Sequence, residues 1–370
     1  MGKGLLERLA DGGTVVIAEG YLLELERRGY LQAGSFVPEV VLEHPHLVKN
    51  LHEEFVHAGS DVVEAFTYYS HREKLRCIGR EDDLERLNKN ALAMARAVAD
   101  DTGTLMAGNI CVTGVYNNED DKTHSATREM FVEQVDWAVE GGADYIIAES
   151  FGYLGEALLA LNVIKEHGKG LPAVVTMAPY VPDVTLDYVP IPEACRRLEV
   201  AGAAVVGLNC QRGPETMLPL LKEIRKVCKG PIAALPVPMN TREDCRTMFS
   251  LKDEKTGELL YPTNINHFLC TRLQVRRFAE AAREIGVQYI GLCCGNAAYL
   301  TREVADVYGR KPPSSRYAAD MSQNTMVGEE ASRVSTAGDK VRKFCLGTFT
   351  KEELDEIERY MSGELVSEIK

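Results

Sequence analysis

Short apolar or β-branched runs recur along the chain, and each is followed by a longer stretch whose apolar residues fall at helical spacing. The runs predicted as strands are Thr14–Glu19, Asp61–Phe66, Thr104–Ile110, Tyr145–Glu149, Ala173–Met177, Ala204–Asn209, Ile232–Leu235 and Gln288–Cys293. The helical stretches between them include Pro38–Ala58, Asp83–Asp101, Ala126–Glu140, Gly155–His167, Ile191–Ala201, Glu215–Cys228 and Arg272–Ile285. Several of these end in glycine, as at Ala58-Gly59, Gly141-Gly142, Ala201-Gly202 and Ile285-Gly286, which is ordinary chemistry for stopping a helix before a strand. No early strand carries a Gly-x-Gly-x-x-Gly fingerprint, so the alternation predicts an α/β fold of the (β/α)8 TIM-barrel type over residues 1–310 rather than a doubly wound sheet.

Two segments depart from this rhythm. Pro236–Leu269, between the seventh and eighth strands, is rich in Pro, Asn, Thr and charge, and is expected to be a loop insertion that shapes a binding site. Beyond Tyr308 the periodicity decays, and Thr350–Ile369 regains helical spacing. Residues 311–370 are therefore expected to form a C-terminal arm that packs on the barrel or reaches a neighbouring subunit in a homo-oligomer.

The 370 residues include 42 Lys and Arg against 55 Asp and Glu, a formal net charge of −13. That balance argues against nucleic acid and anionic membrane as partners. No run approaches the roughly 18 apolar residues that cross a bilayer, and the N-terminus reaches acidic residues before any secretory core could form, so a cytoplasmic protein is expected. The ten cysteines are too dilute for a disulfide scaffold, and clustering among them in a reducing compartment suggests metal or catalysis. His44, His46, His52 and His57 do not share a helix face and are read as solvated surface residues.

Three cysteines fall where barrel enzymes place their chemistry, at the C-terminal ends of strands. Cys210 closes the sixth strand and Cys293-Cys294 the eighth, one strand apart around the barrel. Adjacent residues of a regular strand point to opposite faces, so both can reach one metal only where the strand breaks, and Gly295 supplies the break. Three thiolates leave one of the four positions of Zn2+ open, the arrangement of a catalytic site, and suit it to activating a substrate thiol. Buried packing cysteines and a strained vicinal disulfide are the alternatives, and the metal reading takes precedence once Cys210 joins the pair. The other seven cysteines are read as packing residues.

At this point the chain resembles the homocysteine S-methyltransferases, most closely the betaine-using members, from Gly4 to Tyr308. The resemblance rests on Leu5-Leu-Glu-Arg-Leu, the stretch from Leu25 to Gly34, Phe66-Thr-Tyr-Tyr69, Ile147-Ala-Glu-Ser-Phe151, Gly207-Leu-Asn-Cys210 and Gly291-Leu-Cys-Cys-Gly295. It implies a (β/α)8 fold, zinc on Cys210, Cys293 and Cys294, and methyl transfer to homocysteine to give methionine. It also implies that Glu149 holds the homocysteine amino group. Glu19 and Gly20 fall where the family has Asp followed by two glycines, in a turn one residue shorter.

A methyl donor that reacts without further activation is an onium, such as betaine, dimethylsulfoniopropionate or S-methylmethionine, or else a methylated folate. Onium cations are recognised by aromatic faces, and Phe36, Tyr68 and Tyr69 are the candidates by position. The betaine enzymes carry Trp at Phe36 and Tyr at Ser150, so the resemblance implies a cage with two thinner walls. Two competing classes are a catalytically inactive zinc-binding relative and a zinc hydrolase on the same barrel, the latter lacking the strand-end histidines such enzymes use.

Overall fold

A computed structural model describes residues 3–317 and, beyond them, 321, 322, 324, 343 and 346–362. Eight parallel strands, β1 (Val15–Val16), β2 (Val62–Glu64), β3 (Leu105–Cys111), β4 (Tyr145–Phe151), β5 (Ala173–Met177), β6 (Val205–Asn209), β7 (Ile232–Leu235) and β8 (Tyr289–Ile290), pair in the order β1-β8-β7-β6-β5-β4-β3-β2. Helices alternate with them in the expected (β/α)8 pattern. Regular pairing is shortest in β1 and β8, yet Ile17 N–H donates to Ile290 O at 2.8 Å and Glu19 N–H to Leu292 O at 3.1 Å, so the two segments run side by side up to the site.

The seam between β1 and β2 closes through Asp61. Its N–H donates to Val16 O at 2.7 Å, and its carboxylate accepts from Val16 N–H at 2.8 Å and from Arg310 Nη2 at 2.6 Å. Inside the barrel, alternate residues of each strand meet, as the two-residue period of a strand requires. Val15, Ile17, Val62, Leu105, Ala107, Tyr145, Ile147, Val174, Val205, Ala233, Leu235 and Tyr289 form one buried cluster with Leu5 and Leu9 of the first short helix. The larger cluster outside the strands packs the surrounding helices against them.

The predicted helix over 38–58 is two, Val40–Glu43 and Pro45–Ala58, because Pro45 disfavours helical geometry at His44, which sits at φ −137° and ψ 57°. Within the second, His52 is buried rather than solvated, since it shares the inward face with Val48, Leu51 and Phe55; its Nδ1 lies 3.0 Å from Tyr21 Oη. Burial pushes its pKa down to about 3. Helices at Tyr21–Arg27, Arg72–Arg76 and Ala298–Val307 join those expected. The 236–269 insertion is irregular apart from short 3-10 turns at Met248–Ser250 and Asn266–Phe268 and single antiparallel bridges Met239–Leu269, Arg242–Cys245 and Lys252–Leu259.

The chain divides into two compact units, 1–315 and 316–370. In the second, Lys351–Met361 is helical and ends in a turn at Ser362; residues 363–369 of the expected helix lie outside the described residues, as does Cys345. Among the described residues no helix is long and apolar enough to cross a membrane.

Candidate functional site

The inward parity that fills the barrel continues upward, and at its top the side chains turn polar. Counting by two from the apolar interior positions leads to Glu19 above Ile17, Glu64 above Val62, Asn109 above Ala107, Glu149 above Ile147, Asn209 above Val205 and Cys293 above Tyr289. All six are buried. Glu19, Glu64, Glu149, Cys210, Cys293 and Cys294 line a narrow cavity that also borders Gly20 and Tyr68.

The carboxyl groups are tied together by amides. Asn109 Nδ2 donates to Glu64 Oε1 and to Glu149 Oε1, each at 2.6 Å, and Asn209 Nδ2 donates to Glu149 Oε2 at 2.5 Å. Asn209 is itself oriented by Thr176 Oγ1 and the Ser150 N–H, which donate to its Oδ1 at 2.9 and 3.0 Å. Ser150 can do so because β4 bulges between Ala148 and Phe151, with Ser150 at φ 65°. One oxygen each of Glu19 and Glu64 is buried without a protein partner. Burial raises all three carboxyl pKa values, and repulsion from Glu149 adds to the rise of Glu19 and Glu64. Glu149 itself is pushed up only to about 7, because the Asn109 hydrogen bond favours its charged form.

Beside them the three predicted cysteines converge. Cys210 Sγ lies 3.7 Å from Cys294 Sγ, Cys293 Sγ lies 3.9 Å from Cys294 Sγ, and all three sulfurs fall within 4.8 Å of one another. Backbone strain arranges this. Cys210 and Gln211 leave β6 at φ 58° and 60°, and Gly295 at φ 96° turns the chain after the vicinal pair. Gly20, at φ 97°, lets the β1 segment approach so closely that a Cβ there would sit 2.7 Å from Cys293 O. Hydrogen bonds from Cys210 and then Cys293 hold the Cys294 thiol well below its ordinary range, and Arg27, which donates to Gly295 O at 3.4 Å, adds positive potential. Sulfurs bonded at about 2.3 Å to a tetrahedral ion stand about 3.8 Å apart, so this donor set fits a thiophilic metal.

A second, wider cavity of about 470 Å³ adjoins the first and shares Leu22, Tyr68, Cys210 and Cys294 with it. Its walls include the predicted Phe36, Tyr68 and Tyr69, the latter two with ring centroids 4.5 Å apart. Phe36 and Tyr69 both adopt positive φ, 51° and 60°, and Tyr69 N–H donates to Cys111 Sγ at 3.2 Å, so Cys111 supports the site although it reads as a plain packing residue. Ser150 does not line this cavity, but Tyr180, Phe249 and Tyr261 do, and the last two come from the insertion. The sequence reading missed these three, together with Glu64, Asn109 and Asn209. For Glu64, Asn109 and Asn209 a signal existed: a polar residue on the inward parity at or near the end of an otherwise apolar strand.

Residues 10–308 match the protein family described as Homocysteine S-methyltransferase. Betaine–homocysteine S-methyltransferase 1 of Xenopus laevis is 34% identical over 314 residues, covering 82% of this chain and 75% of that protein. S-methylmethionine–homocysteine S-methyltransferase of Pongo abelii is 35% identical over 323 residues, covering 85% and 84%. The homocysteine methyltransferase MmuM of Escherichia coli, in its metallated form, shares the fold with a TM-score of 0.65 at 17% identity, over 81% of this chain and 99% of that one. With the family matched from near the first strand to the end of the barrel, and relatives a third identical along most of both sequences, the chain belongs to the homocysteine S-methyltransferases.

Proposed function

We propose that this enzyme uses Zn2+ held by Cys210, Cys293 and Cys294 to transfer a methyl group from a small onium donor to homocysteine, forming methionine. The observation that carries the reading is the meeting of three sulfurs at the junction of two cavities, one acidic and one aromatic. What the ion supplies when bound is Lewis acidity that keeps a substrate thiol deprotonated near neutral pH.

The protein's own groups do the rest. Glu149, fixed by Asn109 and Asn209, takes the homocysteine ammonium, with Glu19 and Glu64 as further acceptors for its three N–H groups. Gly20 gives room for that end of the substrate. Phe36, Tyr68 and Tyr69, with Tyr180 and Tyr261, present aromatic faces to the onium. Holding the two substrates in adjoining cavities aligns sulfur and methyl carbon for in-line displacement. The new carbon–sulfur bond forms as the methyl–onium bond breaks, and its electron pair leaves with the donor heteroatom. That atom becomes neutral, so no general acid is required.

Betaine and S-methylmethionine are donors named for two relatives, and dimethylsulfoniopropionate shares their chemistry. The reading extends to a cytoplasmic enzyme whose C-terminal arm, residues 311–370, serves assembly into a homo-oligomer, which sedimentation of the full chain tests. The central test is methionine formation from homocysteine with a panel of onium donors, alongside metal analysis of Cys210→Ala, Cys293→Ala and Cys294→Ala. Loss of zinc and turnover together is expected. Retained turnover in a variant without bound metal overturns the scheme.

A further inference from the structure

Among the described residues, the wider cavity is lined by one cation. Lys74, on the short helix Arg72–Arg76 that follows the two tyrosines, is half-buried and lines the same wall as Phe36 and Tyr69. Its Nζ stands 3.9 Å from the centroid of the Tyr69 ring and donates to Ser35 O at 3.3 Å. An ammonium has three N–H groups, so this arrangement leaves one donor beyond the ring face and the carbonyl. No Asp or Glu among the described residues pairs with it; the titratable groups near enough to act on it are the Cys111 and Cys77 thiols and the His71 ring.

A partly desolvated cation without an anion is costly, and here it stands where the aromatic faces are read as receiving a second cation. For a donor that is only a cation, Lys74 is a repulsive neighbour. For a donor that also carries a carboxylate, the same residue is an anchor: the carboxylate lies between ammonium and onium and offsets one of the two positive charges. The repulsive and attractive effects act on the same choice, which is how a site separates two ligands of similar shape.

Resting on the methyl-transfer reading above, we propose that Lys74 is the anion subsite of the donor pocket, selecting zwitterionic donors that carry an onium methyl and a carboxylate in one small molecule. The role is one of binding and specificity. Lys74 takes no part in breaking the methyl bond.

The test compares a zwitterionic donor with a bare one, dimethylsulfonioacetate against trimethylsulfonium, using the zinc-loaded full chain at fixed homocysteine. Charge-assisted hydrogen bonding predicts a preference for the zwitterion on the order of 10- to 100-fold in kcat/KM from this contact. Lys74→Met should remove that preference, with KM for dimethylsulfonioacetate rising and the rate with trimethylsulfonium rising too as the repulsion is relieved. Lys74→Arg should keep it. An unchanged donor ratio in Lys74→Met, or an equal fall for both donors as expected of a packing residue under Tyr69, overturns the assignment of Lys74 alone. Absence of methionine with every donor overturns the methyl-transfer reading, and this proposal with it.

Discussion

Asn209 donates to Glu149 at 2.5 Å, and the next residue along the chain, Cys210, carries one of the three clustered sulfurs. A single turn out of β6 thus couples the carboxylate proposed to hold the substrate's ammonium to the sulfurs proposed to hold its thiol end. Replacing Asn209 by Ala removes a charge-assisted hydrogen bond worth about 1.5–3 kcal/mol and frees Glu149 to rotate. Homocysteine KM is expected to rise on the order of tenfold or more, while 4-mercaptobutyrate, which lacks the ammonium, should respond little. Equal effects on both thiols would exclude this role.

Gly20 provides a steric test of how the cluster is held. It adopts φ 97°, and a Cβ added there would come within 2.7 Å of Cys293 O and 3.2 Å of Asn296 Cβ. Backbone cannot swing aside as a long side chain can, so Gly20→Ala should displace the Cys293 carbonyl and with it the sulfur geometry. The expected result is weaker zinc retention during dialysis against a chelator, with the overall fold preserved by circular dichroism. Zinc retention equal to that of the unaltered chain would show that the β1 turn does not brace the vicinal pair.

The thiol chemistry makes a separate prediction. Cys294 is half-buried and is held well below the ordinary thiol range by hydrogen bonds from Cys210 and Cys293. Thiolate is the reactive form, so after chelation Cys294 should be alkylated by iodoacetamide ahead of Cys111 and Cys195, whose burial raises them well above that range. Zinc added beforehand should protect it. Peptide mapping by mass spectrometry reads both results, and alkylation insensitive to zinc would argue against a metal at these sulfurs.

The sequence carries the barrel because its strands are continuous apolar runs separated by amphipathic helices, a pattern set by burial on both faces of a parallel sheet. Ala173–Met177 and Ile232–Leu235 match residue for residue. The cysteine site is equally legible, since Cys210 and Cys293-Cys294 sit at strand ends whose spatial neighbours the topology dictates. Tyr180, Phe249 and Tyr261 are different. They lie on loops, where no periodicity fixes direction, and two of them reach the cavity through an irregular insertion of more than thirty residues. His52 reads as solvated only when the four histidines are compared with one another; its spacing from Val48, Leu51 and Phe55 puts it on the buried face.

The barrel seam yields a stability prediction remote from the chemistry. Arg310 donates to Asp61 Oδ2 and Thr14 O, both at 2.6 Å, and to Tyr308 O at 2.7 Å, at the opposite end of the strands from the site. Both side chains of the ion pair are about four-fifths buried, at 23% and 21% exposure. Arg310→Met leaves the Asp61 carboxylate with only Val16 N–H as a partner on this seam, so a loss of about 2–4 kcal/mol is expected in urea unfolding. Turnover per folded molecule should hold. A loss under 0.5 kcal/mol, read as an order-of-magnitude floor for surface changes, would mean the seam is not closed by this pair.

Acid should destabilise the protein through two buried histidines. His52 and His71 are each about 1% exposed, and burial lowers both to about 3, so they fold neutral. In the unfolded chain they take up a proton near pH 6.5, and stability therefore falls as pH drops below that value and continues to fall until about pH 3. At pH 5 each costs about 2 kcal/mol, the 1.5-unit gap below 6.5 multiplied by about 1.4 kcal/mol per unit. Glu19, Glu64 and Glu149 are raised by burial and work in the opposite direction, gaining stability as pH falls. The informative quantity is thus the difference between the unaltered chain and His52→Asn, whose amide can keep the contact with Tyr21 Oη. Between pH 7 and pH 5 that variant should gain about 2 kcal/mol relative to the unaltered chain in urea unfolding, and a constant difference across this window would show that His52 takes up its proton in the folded chain as it does in the unfolded one.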